Sequence, residues 1–566
     1  MRYFCSLSLC CLLYMAGYAQ PAGTPAIGDA EYDQFVASRP IPVITGKLLN
    51  ITPEALQKTV IEYSLVTPMG QEQKTTRPAA DGSFRLPLDY AFPYQQIWFN
   101  IDSLFYAGIY AYEALELELD VAKIKAAGGD LNWNGPGVRF LGKDGPLNEY
   151  MNNYILFRRK EQLALGNRMH QVGRSGKPVA AEVEAAYRPI FDSLKLIQDD
   201  YIATHPSPYG WILDNERLSE YYGQLCVSYW FHNMEAPLFA QVRQHRTYLM
   251  SNASTLLARY LGNYIKWHPA NRTSVHPKEL AAMPGVTDFE KSYIDSLQMV
   301  QWPNSTDTIS VATRQRWVSQ LQRLMQPLQQ QRSLANCIRF TDSVFTAPQA
   351  DVLKLWLNDS RDVDERKAAL EQLLPSMQTN WSRQLAQSKY DETVTRIASI
   401  NKALAGSGTG TNMAAFGKPL LETGFGASLY KVTNMNATQF LTNLKQSFPG
   451  RAIVFDLWAT WCAPCLGEMP HSKKLQLSSK ELPVVFVYVC TTSGSNEEKW
   501  KRKVAELEQP GVHFFIDNTL DAEIRKFFSF SGYPGYAFID RSGVYKAGAI
   551  TRISMVDKPA LAALVQ

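Results

Sequence analysis

The chain has 566 residues, room for three or four domains at a typical size of roughly 100–200 residues each. Hydrophobic residues make up 46% and aromatics 12%, so the chain is too apolar to be disordered throughout and can bury several cores. The 57 Lys and Arg against 53 Asp and Glu leave a formal charge of +4, too near balance for a nucleic-acid binder with a basic stripe, and eight cysteines are too few for a disulfide scaffold.

The first segment reads as an address. Arg2 precedes a mostly apolar stretch, Phe4–Ala16, of the length of a signal h-region and too short to span a bilayer. Gly17-Tyr18-Ala19 supplies small residues at −3 and −1, so residues 1–19 are expected to be a signal peptide cleaved after Ala19, with an uncleaved anchor as the alternative. Leu9 before Cys10 does not fit a lipidation site, and the apolar run continues past Cys11. The expected location is the periplasm or cell envelope, with no stable membrane insertion once the signal is removed. The mature chain keeps Cys226, Cys337, Cys462, Cys465 and Cys490, an odd number, so at least one thiol stays out of any intramolecular pair.

Residues 40–126 carry a β pattern. Leu115-Glu116-Leu117-Glu118-Leu119-Asp120-Val121 alternates, as do Ile97, Phe99 and Ile101, and Phe84, Leu86 and Leu88 after the Asp81-Gly82 turn signal. Short strands with turns between them predict a small β-sandwich. It resembles the N-terminal β-domains of exported Bacteroidetes proteins. Asp130-Leu131-Asn132-Trp133-Asn134-Gly135 matches half of a calcium loop, but Leu141 stands at position twelve where a carboxylate is required, so a domain-joining loop is the better reading.

Over residues 127–404 the period becomes helical. Val183, Tyr187, Ile190, Leu194 and Ile197 recur at three and four, within a helix expected over Ala180–His205, and Asp214–His232 and Arg314–Leu334 read likewise. Cys226 and Cys337 fall in such segments, either as a disulfide or as inert core thiols. Residues 405–420 are the expected linker, with Ala405-Gly406-Ser407-Gly408-Thr409-Gly410-Thr411 at its start.

Residues 421–566 alternate strand and helix. Strands are expected at Ala452–Trp458, Pro483–Val489, Val512–Ile516, Tyr536–Ile539 and Val544–Ala549. Helices are expected at Thr438–Phe448, Cys462–Leu477, Glu497–Leu507, Leu520–Phe528 and Pro559–Leu564. The pair Cys462-Ala463-Pro464-Cys465 stands where a buried strand ends and a helix begins. A helix start presents unpaired N–H groups and the positive end of the dipole, which favour a thiolate. Spacing of three puts both sulfurs on one face. Cys462 is expected at the exposed edge as nucleophile, and Cys465, one turn in, as the buried resolving thiol. The bland alternatives are a structural disulfide, or half of a zinc site recruiting His471 or Cys490.

This segment resembles the thioredoxin-fold domain of TlpA/ResA-like thiol–disulfide oxidoreductases. Trp461-Cys462-Ala463-Pro464-Cys465 is similar to the family's active site, Glu468-Met469-Pro470 to the Glu-x-Pro that follows it, and Tyr533-Pro534 to its cis-proline turn. Asp456 falls where thioredoxins keep a buried acid. The resemblance implies a multidomain protein with an α/β thioredoxin fold at its C-terminal end. Cys462 would attack, Cys465 resolve, Pro534 shape the groove, Asp456 and Glu468 assist proton transfer, and Trp461 and Tyr533 contact substrate. It implies protein disulfides or thiols as substrates, an upstream electron donor, and no metal or organic cofactor. The Ala-Pro pair between the cysteines resembles reducing members. The rival reading is an envelope binding or scaffold protein in which this domain is accessory.

Overall fold

The computed structural model describes residues 38–101, 104–127, 135–174, 180–230, 232–245, 249–271, 273–299, 321–358, 362–405 and 413–566, with a few isolated positions between them. The proposed signal, Asp130–Asn134 and the Gly-rich core of the linker lie outside these residues. Two units emerge. One runs to Asp359 and includes Ala369–Gln387; the other joins Ser360–Ala368 to Ser388–Gln566.

The first unit opens with eight strands: β1 Val43–Leu49, β2 Ile61–Thr67, β3 Gly70–Thr76, β4 Ser83–Leu86, β5 Gln95–Ile101, β6 Phe105–Ala111, β7 Ala114–Asp120 and β8 Val138–Leu141. They form two four-stranded sheets, β4-β1-β7-β8 and β3-β2-β5-β6. Alternation sorts their faces. Leu115, Leu117 and Leu119 of β7 meet Ile97, Phe99 and Ile101 of β5 in one core, while Glu118 turns outward to Arg139 at 2.6 Å. The expected sandwich is therefore present, but β8 lies beyond residue 126, in the stretch read as helical. At four residues it is too short for a periodic signal, and its register on β7 makes it a strand.

β6 is an edge strand, and an open edge invites unwanted pairing. The helix α1, Gly145–Leu156, covers it. Its buried Asn148 accepts from Tyr110 N at 2.7 Å and donates to Tyr110 O at 2.8 Å, and Asn152 donates to Gly108 O at 3.1 Å. Further helices follow, among them α2 Ala180–Thr204, α3 Gly210–Ser228, α4 Asn252–Trp267, α5 Gln322–Val344 and α6 Ala347–Leu357. The helix expected over Asp214–His232 starts and ends four residues earlier, as α3; of the one expected over Arg314–Leu334, residues 322–334 lie in α5, which runs on to Val344, and most of residues 314–320 lie outside the described residues. Cys226 and Cys337 share an apolar cluster as separate buried thiols, and burial pushes the Cys337 thiol up to about 11.

In the second unit β9 Leu421–Glu422, β10 Ala427–Val432, β11 Ala452–Trp458, β12 Val484–Thr491, β13 Gly511–Ile516, β14 Gly535–Ile539 and β15 Tyr545–Lys546 form one sheet. Its order is β15-β14-β11-β12-β13-β10-β9, with β11, β12, β13 and β10 parallel. Parallel strands are covered on both faces, which is why β11 and β12 read as apolar runs. α7 Val363–Leu373 and α8 Asn380–Ala405, of which residues 363–368 and 388–405 belong to this unit, come before this sheet in the chain. Within and after it come α9 Ala437–Ser447, α10 Ala463–Ser478, α11 Glu497–Leu507, α12 Asn518–Phe528 and α13 Lys558–Val565. α9 and α12 cover one face through Phe440, Leu444, Leu520 and Ile524; α10, α11 and α13 cover the other through Met469, Trp500 and Leu561. Side-chain caps start these helices: Asn436 with Gln439 on α9, Asn496 on α11 and Asp517 on α12.

Two differences from the sequence reading concern the boundary. Met413 and Phe416, placed in the linker, pack into this unit, with the Phe416 ring 4.7 Å from Phe514. Ile397, Ile400 and Leu404 at the end of α8, placed in the helical domain, pack with Val363 against Ala505 of α11. The pattern also assigns no strand to Ala427–Val432, a six-residue run between Gly426 and a polar turn.

Candidate redox site

Strand β11 delivers the chain to Ala459-Thr460-Trp461, and Cys462 then caps α10. Cys462 N donates to Ala459 O at 3.0 Å, and Cys462 Sγ accepts from Cys465 N at 3.2 Å, so the sulfur occupies the place of an N-cap oxygen. Pro464, in the first helical turn, has no N–H to leave unpaired. Cys462 and Cys465 are bonded to each other, with Cα atoms 5.3 Å apart. Their burial differs from expectation: Cys462 is 3% exposed, not at an open edge, and Cys465 is 1% exposed. Trp461 is the residue at the rim, 50% exposed.

In the sheet whose strand β11 leads to the pair, a polar row crosses the apolar strands. Asp456 of β11 faces Tyr536 of β14 on one side and Tyr488 of β12 on the other, and Tyr488 faces His513 of β13. Asp456 is buried, and neither carboxylate oxygen has a hydrogen-bond partner among the described residues; the Tyr536 hydroxyl has none either. Burial pushes the Asp456 carboxyl up to about 8, and the nearby Glu468 charge adds to the rise. Tyr488 is fully satisfied, through Ser472 at 2.8 Å and Gln509 at 2.7 Å, with His513 stacked on its ring at 4.7 Å. Burial brings His513 down to about 4, so it is neutral. Glu468, half-buried on α10, accepts from Ser554 N at 2.8 Å and Ser554 Oγ at 3.0 Å, which anchors the chain after β15 to the redox helix.

The Tyr533–Pro534 bond is cis. Tyr533 packs on the apolar cluster that contains both cysteines, and its ring stands edge-on to Trp461, with centroids 5.7 Å apart at 90°. Three partners of this pair were not apparent from the sequence. Trp461 Nε1 donates to Ser493 O at 2.7 Å. Gly494, at φ +66°, lets the ring lie against the backbone, because a Cβ there would sit 2.7 Å from Trp461 Nε1. Asp521 of α12 accepts from the Tyr533 hydroxyl at 2.8 Å. The loop after β12 is tied in further by Thr460 and Ser495, 2.8 Å apart. Cys490 is a buried free thiol in the same cluster, and burial pushes it far up, so it stays protonated. Among the described residues no group of three His, Cys, Asp or Glu side chains is placed to hold a metal ion, and no helix is long and apolar enough to cross a membrane.

Residues 426–554 match the Redoxin family. The chain is similar to the thioredoxin-like protein YneN of Bacillus subtilis (strain 168), 31% identical over 116 residues, covering 20% of this chain and 66% of that protein. The thioredoxin domain of a thiol-disulfide oxidoreductase from Bacteroides vulgatus is 19% identical, with 21% of this chain and 79% of that one covered at a TM-score of 0.18. A thiol:disulfide interchange protein of the thioredoxin family from Chlorobium tepidum TLS is 20% identical, with 21% and 81% covered at 0.19.

Proposed function

We propose, from the premise that residues 426–554 form a Redoxin domain of thioredoxin fold, that this chain is an exported thiol–disulfide oxidoreductase that reduces protein disulfides. The observation that carries the reading is the Cys462–Cys465 pair, bonded to each other at a helix start, with a buried unpaired carboxyl on the strand that leads to it. That arrangement supports a dithiol that is made and broken in turnover. In the reduced protein, Cys462 thiolate attacks one sulfur of a substrate disulfide. A mixed disulfide forms, and the other substrate sulfur leaves as a thiolate and takes a proton. Cys465 then gives its proton to Asp456 in those molecules that carry the acid as carboxylate, a fraction that grows as pH rises towards about 8, and attacks Cys462 Sγ; the protein disulfide closes, and the second substrate sulfur leaves as a thiolate and takes a proton. Burial of Asp456 favours the protonated form that this step leaves behind. Glu468 tunes that carboxyl by its charge. Pro534, Tyr533 and Trp461 wall the groove that takes the substrate chain. A dithiol donor upstream returns two electrons to the pair.

The reductive direction draws support from Ala463-Pro464 between the cysteines, and export from the apolar run before Ala19. The test is reduction of insulin by the full chain with dithiothreitol as donor, together with a Cys465→Ser variant. The reading predicts turnover well above dithiothreitol alone and a mixed disulfide that accumulates on the variant. Turnover no faster than dithiothreitol, with no protein captured through Cys462, would sink it.

A further inference from the structure

The residue before the cis-proline is held by a side chain outside its own loop. Tyr533 OH donates to Asp521 Oδ2 at 2.8 Å, and Arg525 Nε reaches the same oxygen at 3.1 Å. The Arg525 guanidinium also stands over the Tyr533 ring, 5.7 Å from its centre. Asp521 is buried, and its Oδ1 has no hydrogen-bond partner among the described residues, so the donors on Oδ2 are what offset the burial of the acid. Tyr533 is one of those donors. The bond is therefore binding on both sides: the phenol needs the acid, and the acid needs the phenol.

The consequence lies at the rim of the cysteine pair. Tyr533 has its polar end turned into the protein and fixed there. Trp461 has its indole N–H fixed on Ser493 O. What remains beside the disulfide is a corner of two aromatic rings, edge to face, with one half open to solvent. A rigid aromatic surface binds at low entropic cost, since no side chain has to be ordered on contact. It rewards a partner that brings apolar side chains on either side of its disulfide. A small disulfide, with no flanking residues, gains nothing from it.

We propose that Asp521 is a positioning residue: it locks Tyr533 against Trp461, and the locked corner makes the site select disulfides within polypeptide chains over small disulfides. The inference rests on the reading of Cys462–Cys465 as an exchange centre. Its test uses the reduced full chain and two oxidants, insulin and 2-hydroxyethyl disulfide, with the rate of protein oxidation by each followed in single turnover. Tyr533→Phe removes one oxygen and leaves the ring. It is expected to lower the ratio of insulin rate to small-disulfide rate by about tenfold, the scale of one lost hydrogen bond to a charged group. Asp521→Ala should lower the ratio by a similar factor, and Asp521→Asn, which keeps an acceptor oxygen, should restore most of it. The double variant Tyr533→Phe/Asp521→Ala should be no worse than either single, because both remove the same bond. A ratio unchanged in Tyr533→Phe, equal losses on both oxidants, or effects that multiply in the double variant would each overturn the positioning role. If the unaltered protein reacts with neither oxidant, the exchange reading itself fails, and the inference falls with it.

Discussion

Asp456 is the residue whose environment departs most from what its type prefers. A carboxyl on a central strand, with both oxygens unpartnered among the described residues, is stable in the fold chiefly as the neutral acid. Its folded pKa, about 8, stands well above the ordinary aspartate value of about 4, so the folded state holds a proton that the unfolded chain has released between those values. The sign follows: the disulfide form loses stability as pH rises through that window, and the loss is complete above it. Asp456→Asn should therefore stabilise the disulfide form, by on the order of 3 kcal/mol at pH 8 and by little at pH 4. Urea unfolding of both proteins at the two pH values checks this; a gain that does not grow with pH would show that the acid is not held neutral. The same substitution should slow reduction of insulin, since Cys465 loses its proton acceptor. The resemblance to thioredoxins implies a buried acid at Asp456, and the residue is buried; the residue pattern alone does not give that, because a strand-end acid reads equally well as solvent-facing. Cys462 and Cys465 were legible from spacing and context alone. Asp521 was not: it lies twelve residues before Tyr533 on another element, and only the packing of α12 brings the two together.

At the scale of elements, alternation and apolar runs placed most of the strands, and β11 and α11 fall at their expected bounds. The sequence pattern places no strand at β8, β9 or β10, and it covers β1, β2, β3 and β6 only through the β pattern of residues 40–126; β8 and β10 take their identity from neighbours in the sheet. The connection from β12 to α11 escaped for a different reason. Its residues are small and polar, and composition marks it as a plain loop, yet it supplies the Ser493 carbonyl for Trp461 and the Ser495 hydroxyl for Thr460. Gly494 is the position on which this brace turns. It combines a positive φ with a close approach to a ring that is pinned at its far end, so neither side can yield cheaply. Gly494→Ala should cost about 1–2 kcal/mol and shift Trp461 off Ser493. Gly532→Ala is the control: a Cβ there meets nothing within 4 Å. Thermal melts of the two variants, with their rates on insulin, separate the cases. Equal, near-neutral behaviour at both positions would mean that the loop does not hold the tryptophan.

For the molecule as a whole, the question is where the redox unit ends. The Gly/Ser/Thr stretch before Met413 suggests a fragment from that residue onward, but the apolar contacts continue upstream. Val363 and Ile400 are buried against Ala505, with Ile397, Leu404 and Phe425 around them. Ion pairs line the same contact: Arg502 with Asp364 at 2.8 Å, Lys499 with Glu365 at 2.8 Å and Arg396 with Glu506 at 3.2 Å. Partly exposed pairs of this kind add little, so the apolar side chains decide the outcome. Removing residues before 413 exposes Ala505 and Phe425 and takes away Ile400, a loss of about 2 kcal/mol at ordinary burial values. A fragment of residues 413–566 should therefore fold and keep a reactive Cys462–Cys465 pair, since its two apolar layers are intact. A fragment of residues 388–566 should unfold at a higher urea concentration with the same slope. Equal midpoints would show that the end of α8 rides on α11 without stabilising it. An insoluble shorter fragment would show the reverse, that this helix completes the domain. Either result fixes how the chain must be cut before the dithiol chemistry is measured in isolation.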